Sequence, residues 1–302
     1  MTYRPRGIWP MLYAFFDERG TLDRTAMRLQ VEACVREGAH GLAILGLATE
    51  VNKLTDAERH DLVLWLAEDL DKRRPFAVTV TGDTPEAQIE FARFAAEAGA
   101  AYVILQPPRT GPTDQEALSS FFGRVADGCP IPVGIQNAPE YLGVGLSPPS
   151  IKILHRRHAN LVMVKGESTV LNIRRIIEET AGGIAVFNGR GGLELTDNLR
   201  AGCEGMIPAP DFFDRQVRVY GLMLSVDDSE NEEVAENLYR EILPGIVFVM
   251  QSIDTLVCYG KRVAAWRIGI KSEIYDRAPA MAPTPFGLQC TRRFVEALGP
   301  YV

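Results

Sequence analysis

The chain has 302 residues, 46% of them apolar and 24% charged, with a formal net charge of −7. That balance supports a buried core in one large α/β domain or two ordinary ones, since α/β barrels commonly need about 250 residues. The acidic charge, with no basic cluster against it, excludes a nucleic-acid partner from the expectations.

Cys34, Cys129, Cys203, Cys258 and Cys290 are odd in number and show no C-x-x-C spacing. Free thiols in a reducing compartment are therefore expected. His155 and His158 could share a helix face, but Arg156 and Arg157 between them read as solvated surface, so no metal is expected. MTYRPRGIW lacks a signal peptide's apolar stretch, and IVFVM (246–250) is too short to span a bilayer. The expectation is a cytoplasmic protein with no membrane partner.

In chain order, β-type runs are predicted at 7–15 (GIWPMLYAF), 40–46 (HGLAILG), 76–82 (FAVTVTG), 101–106 (AYVILQ), 131–136 (IPVGIQ), 161–165 (LVMVK), 183–189 (GIAVFNG) and 204–209 (EGMIPA). Segments of helical apolar spacing, such as AMRLQVEACVREG and EAQIEFARFAAEAG, separate most of them. Strand–helix alternation is the signature of a parallel sheet, and continuously apolar strands suit one covered on both faces. Eight such runs predict a (β/α)8 TIM barrel over residues 1–210. REGAHGLAIL, AEAGAAYVIL and RAGCEGMIPA add a weak internal repeat of helix end, capping glycine and strand. A doubly wound sheet would carry a Gly-rich turn after its first strand, and none follows 7–15. GRGG at 189–192 follows the seventh run and reads as a tight loop at the barrel mouth. Beyond it, helices are predicted at 211–226, 232–251 and 253–275, with the acidic turn VDDSENEE between the first two. Residues 211–302 thus form a C-terminal helical extension, docked on the barrel or on a neighbouring subunit.

Lys165 ends the sixth run. Barrel chemistry sits at the C-terminal ends of strands, so the lysine points toward that mouth. Lysine is almost never fully buried unless paired, and its bland role is a stem covering apolar surface. The functional role follows from desolvation among apolar walls, which disfavours the ammonium and leaves an amine nucleophilic toward ketones.

Several segments resemble the dihydrodipicolinate synthase and N-acetylneuraminate lyase family of class I aldolases. FFDERGTLD (15–23) is similar to its opening P-F-x-x-x-G-x-x-D, and LGLATEVNKLTDAER (45–59) to its G-T-T-G-E segment. IQNAPEYLG (135–143) resembles its Y-N-x-P segment, and VMVKGES (162–168) the V-x-x-K segment of the Schiff-base lysine. KRVAAWRIGI followed by APAMAP fits its C-terminal region. The resemblance implies a Schiff base at Lys165, no cofactor, a small 2-keto acid substrate and a homo-oligomer, a tetramer.

The synthase's hydroxyl relay is absent. Its paired threonines fall on Leu47 and Ala48, one tyrosine on Gln136 and the other on Arg109, and its arginine for a dicarboxylic substrate on Tyr141. An amide does not titrate near neutral pH, so Gln136 can orient a group or a water but not act as acid or base. The branch that dehydrates L-2-keto-3-deoxyarabonate fits better. It is similar at Gln136-Asn137-Ala138-Pro139, Pro107-Pro108, Thr49-Glu50, Lys165-Gly166-Glu167 and Phe187-Asn188-Gly189. It differs in having tyrosine at Arg109 and aspartate at Asn188.

Other candidates carry more than one reading each. Thr49 and Glu50 are helix-entry caps, or the Thr49 hydroxyl joins the backbone N–H groups of Leu47, Ala48 and Thr49 in holding a carboxylate, with Glu50 beside them in the substrate site. Glu167 is the base, a group that tunes the amine, or half of a surface salt bridge. Arg109 is a carboxylate fork or a solvated arginine. Gly189 and Ile207 resemble positions offering backbone contacts to substrate, though glycine there is also turn chemistry. The expected function is a Schiff-base lyase dehydrating a 2-keto-3-deoxy sugar acid. The alternatives are an aldolase that breaks C3–C4 and releases pyruvate, and a ketoacid-binding barrel without catalysis.

Overall fold

Every predicted β-type run overlaps a strand. The computed structural model describes residues 3–111, 113–225 and 229–301. The strands are β1 (Gly7–Ile8), β2 (Leu42–Ile44), β3 (Phe76–Val80), β4 (Tyr102–Leu105), β5 (Val133–Asn137), β6 (Leu161–Gly166), β7 (Ala185–Asn188) and β8 (Gly205–Met206). Their order in one sheet is β1-β8-β7-β6-β5-β4-β3-β2, the strand order of a (β/α)8 barrel.

Two compact units divide the chain. The first holds Pro75–Ile207 with the segment ending at Gly7 and carries the parallel ladder from β3 to β8. Two rows of side chains share one face of that ladder. Thr79, Ile104, Gly134, Met163 and Ala185 form one row, and Gln136, Lys165, Phe187 and Gly205 the next. The opposite face is the helix side: a Cβ on Gly166 would lie 2.5 Å from Ile173 of the helix Val170–Glu179. Gly205 leaves room for its row neighbour, since a Cβ there would stand 2.6 Å from the Phe187 ring.

The second unit holds Ile8–Arg74 and the chain from Pro208 onward, so the C-terminal helices group with the first quarter of the chain. Beyond Ile8 the chain meets β2 through an isolated parallel bridge, Met11 to Ala43. The run expected over 7–15 is therefore a two-residue strand followed by irregular backbone, because Pro10 has no N–H to give a ladder. The C-terminal helices are Phe213–Met223, Ser229–Val249, Ile253–Ile268 with a π-turn at Leu256–Gly260, and Pro285–Leu298. The helix expected to reach 275 stops at Ile268, where Gly269 takes a φ of 87° at its end. The last helix, capped by the Thr284 side chain with Pro285 in its first turn, was not expected. Residues 226–228 of the predicted acidic turn lie outside the described residues.

Among the described residues no single helix is long and apolar enough to cross a membrane; one pair passes that test jointly but is bent by 111°. His155 bonds the Leu161 carbonyl and His158 bonds Asp127, so each ring has its own partner. No three His, Cys, Asp or Glu side chains converge as a metal site among the described residues.

Candidate active site

Lys165 is buried at the end of β6, and the group it meets is a carboxylate. Glu167 Oε1 lies 3.2 Å from its Nζ. This corrects two expectations. The amine does not stand among apolar walls only, and Glu167, 6% exposed, is no surface salt bridge. The i, i+2 spacing at a strand end sends both side chains to one face, which explains the pairing.

The second oxygen of Glu167 accepts a 2.5 Å hydrogen bond from Gln136 Nε2. Gln136 is the register partner of Lys165 on β5, so it leaves the sheet on the same face. Its carbonyl accepts from Gln106 Nε2 at 2.8 Å, and Gln106 stands just past β4. Four side chains from three strand ends thus form one buried chain: Gln106, Gln136, Glu167 and Lys165. Every link is charged or oriented, so the carboxylate has one preferred direction.

Gly189 belongs to this arrangement through what it lacks. A Cβ there would stand 2.4 Å from Glu167 Cγ and 2.5 Å from Oε1. Its N–H donates to the Gly166 carbonyl, and the Ile207 N–H donates to the Asn188 carbonyl. Both amide hydrogens are therefore engaged, and any backbone contact to substrate falls to the carbonyls. The predicted tight loop follows, with φ of 50° at Arg190, 62° at Gly191 and 100° at Gly192. Arg190 ties it down between Glu140 at 3.8 Å and Glu194 at 3.2 Å.

Of the two readings of Arg109 the structure favours the solvated arginine, and Asn188 and Tyr141 gain surroundings the sequence did not give. Arg109 is exposed after β4, where its backbone N–H donates to Asp83 at 2.9 Å. Asn188 pairs with Gly166, not Lys165, and so lies on the helix side, where neither polar atom of its buried amide has a partner. The charge lost there relative to aspartate is therefore not on the lysine's face. Tyr141, taken only as a departure from the synthase, feels the Glu167 charge. Burial raises its phenol above the ordinary value, against an opposing hydrogen bond from Arg190, so it stays a proton donor at neutral pH.

Residues 47–50 belong to the second unit, in the loop after β2. The Thr49 hydroxyl donates to the Leu12 carbonyl at 2.6 Å. Glu50 accepts from Lys53 at 2.5 Å and from the fully buried Lys261. Neither caps the short 3₁₀ turn Val51–Lys53, so the capping reading fails because both side chains are committed elsewhere. The following helix is capped by Thr55 with Glu58. The backbone N–H groups of Leu47, Ala48 and Thr49 donate to no other described group, which leaves them free to hold an anion.

The model of the dihydrodipicolinate synthetase family matches residues 4–281. A protein of Escherichia coli K12, provisionally named a 2-dehydro-3-deoxy-D-gluconate aldolase, is 27% identical over 70% of this chain and 72% of its own length. The L-2-keto-3-deoxyarabonate dehydratase of Azospirillum brasilense is 29% identical over 70% and 71%. A 4-hydroxy-tetrahydrodipicolinate synthase of Methanothrix thermoacetophila is 32% identical over 67% and 68%. A solved structure from Pseudomonas aeruginosa, provisionally described as a dihydrodipicolinate synthetase, superposes with a TM-score of 0.90 over 98% of this chain and 100% of its own, at 23% identity.

Proposed function

We propose that this chain, which belongs to the dihydrodipicolinate synthetase family, dehydrates a small 2-keto-3-deoxy sugar acid through an imine at Lys165. Family members are lyases that work through a lysine Schiff base on small keto acids. The observation that carries the finer reading is the buried carboxylate of Glu167, 3.2 Å from the lysine Nζ and held from its other side by an amide.

In this reading Glu167 takes the ammonium proton, the free amine adds to the C2 ketone, and Glu167 returns the proton to the C2 oxygen, which leaves as water as the imine forms and restores the carboxylate. The positive imine nitrogen withdraws electrons from C3, two bonds away and within reach of the same carboxylate. Glu167 removes a C3 proton to give the enamine. The enamine electrons then expel the C4 hydroxyl, which leaves with a proton as water. Tyr141 is a neutral donor suited to supply that proton. Hydrolysis of the imine releases the product and restores the amine. Gln136 orients the carboxylate and titrates at no step.

The similarity to an arabonate-type dehydratase supports loss of water, and the similarity to a gluconate-type aldolase supports the rival cleavage of C3–C4. Both share every step to the imine. Incubation with C5 and C6 2-keto-3-deoxy acids, assayed for pyruvate, separates them: dehydration consumes substrate without pyruvate, whereas pyruvate at the rate of substrate loss contradicts it. The same reading retains a cytoplasmic homotetramer from the family resemblance, with Leu171, 76% exposed, offering an apolar contact for a second copy.

A further inference from the structure

We infer that Gln106 is a positioning residue for this chemistry: acting through Gln136, it sets which way the Glu167 carboxylate faces. This rests on the Schiff-base reading. A primary amide has its carbonyl on one side and its NH₂ on the other. Glu167 demands a donor from Gln136, which turns the Gln136 carbonyl toward β4, and there Gln106 Nε2 meets it at 2.8 Å. Rotating the Gln136 amide by half a turn would set carbonyl against carboxylate and NH₂ against NH₂. Gln106 therefore penalises the wrong orientation at the end away from the charge.

The backbone that carries Gln106 is itself fixed. Gln88 Nε2 donates to its backbone carbonyl at 2.9 Å and to the Gly82 carbonyl at 3.0 Å, pinning the exits of β3 and β4 together. Gln88 and Gln106 are both buried, so the chain of amides runs from the helix Pro85–Glu97 to the reacting nitrogen without an exposed link. Among the described residues of this unit the charged and titratable groups that bear on it are Lys165 and Glu167 at β6, and Tyr141 on the turn Pro139–Leu142, which feels the Glu167 charge and is itself beside Arg190 and Glu140.

The isosteric change Gln106→Glu inverts the demand. An ionised carboxylate at 106 accepts only, so it competes with Glu167 for the Gln136 N–H groups. Protonated, it can donate to the Gln136 carbonyl as the amide did. Burial and the neighbouring Glu167 both disfavour its charged form, so the donor form returns as pH falls.

The readout is exchange of the pyruvate methyl protons in D₂O, which needs the imine and removal of a C3 proton but no knowledge of the true substrate. Wild-type protein that exchanges no methyl protons refutes the Schiff-base reading itself. Given wild-type exchange, Gln106→Glu should be slowed roughly tenfold or more at pH 8. Its rate relative to wild type should climb toward one as pH is lowered. Gln106→Met, which keeps the volume, should lower kcat for exchange with KM for pyruvate unchanged and no acid recovery. Both variants exchanging within twofold of wild type at every pH would overturn the inference. So would a Gln106→Glu deficit that does not change with pH. If Gln106→Glu does not fold, Gln106→Met decides, and an altered KM with unchanged kcat counts against positioning.

Discussion

Gln136 and Lys165 are register partners on adjacent strands, and the carboxylate of Glu167 lies between their polar ends, 2.5 Å from one and 3.2 Å from the other. A family whose members need a nucleophilic lysine here also needs somewhere for its proton to go. The proposed mechanism gives that place to Glu167, the buried carboxylate held by Gln136.

Removing the carboxylate's basicity should therefore slow the reaction while preserving the fold. Glu167→Gln keeps the volume and can still bond Gln136. A positioned general base contributes about 10²–10⁴ in rate, so turnover should fall within that range and pyruvate methyl exchange with it. Wild-type exchange in this variant would assign the base elsewhere.

Gly189→Ala tests the space that Glu167 occupies. The new methyl would overlap Glu167 Cγ and Oε1, so the carboxylate must move. Such overpacking typically costs about 1–3 kcal/mol. We expect a lower melting temperature and exchange slowed at least as much as in Gln106→Met. A variant with wild-type exchange would show that the carboxylate's exact seat is unimportant.

Much of this was legible in the sequence. All eight strands follow from apolar runs, and Lys165-Gly166-Glu167 at a strand end already places lysine and glutamate on one face by the two-residue alternation of strands. The parts that were not legible involve contacts between strands. Nothing local marks Gln106 as different from any polar strand end, because a neutral amide gives no signal until its partner is known. Gly189 reads as a turn glycine until Glu167 is seen against it. The 7–15 run was overread because its apolar residues outweighed Pro10, and the last helix was missed although Thr284-Pro285 is a helix start.

Asp211 gives a stability prediction in the second unit. It is fully buried, its side chain accepts from the Tyr13 hydroxyl, and burial pushes its carboxyl up to about 6 from an ordinary 3.8. A carboxyl raised on folding binds its proton more tightly in the native state, so stability falls as pH rises from about 4 through 6. The contribution spans roughly 3 kcal/mol at one unit per 1.36 kcal/mol. Urea unfolding at pH 5 and pH 7.5 should show Asp211→Asn gaining stability relative to wild type at the higher pH. An identical pH dependence in both proteins would contradict the buried charge.

Lysine-type biosynthetic condensation should be absent. Leu47, Arg109 and Gln136 occupy the positions where the resemblance places relay hydroxyls, and none of the three is a neutral-pH hydroxyl donor. Pyruvate with aspartate semialdehyde should give no appreciable condensation product by coupled assay. Efficient condensation would show that another group replaces the relay.

The central claim is the imine at Lys165. Borohydride reduction in the presence of pyruvate or a 2-keto-3-deoxy acid, followed by peptide mass mapping, tests it most directly. The account predicts one stable adduct, on Lys165, abolished in Lys165→Arg, whose guanidinium stays protonated and cannot add to a ketone. An adduct on another lysine, or none with any ketoacid, would contradict it.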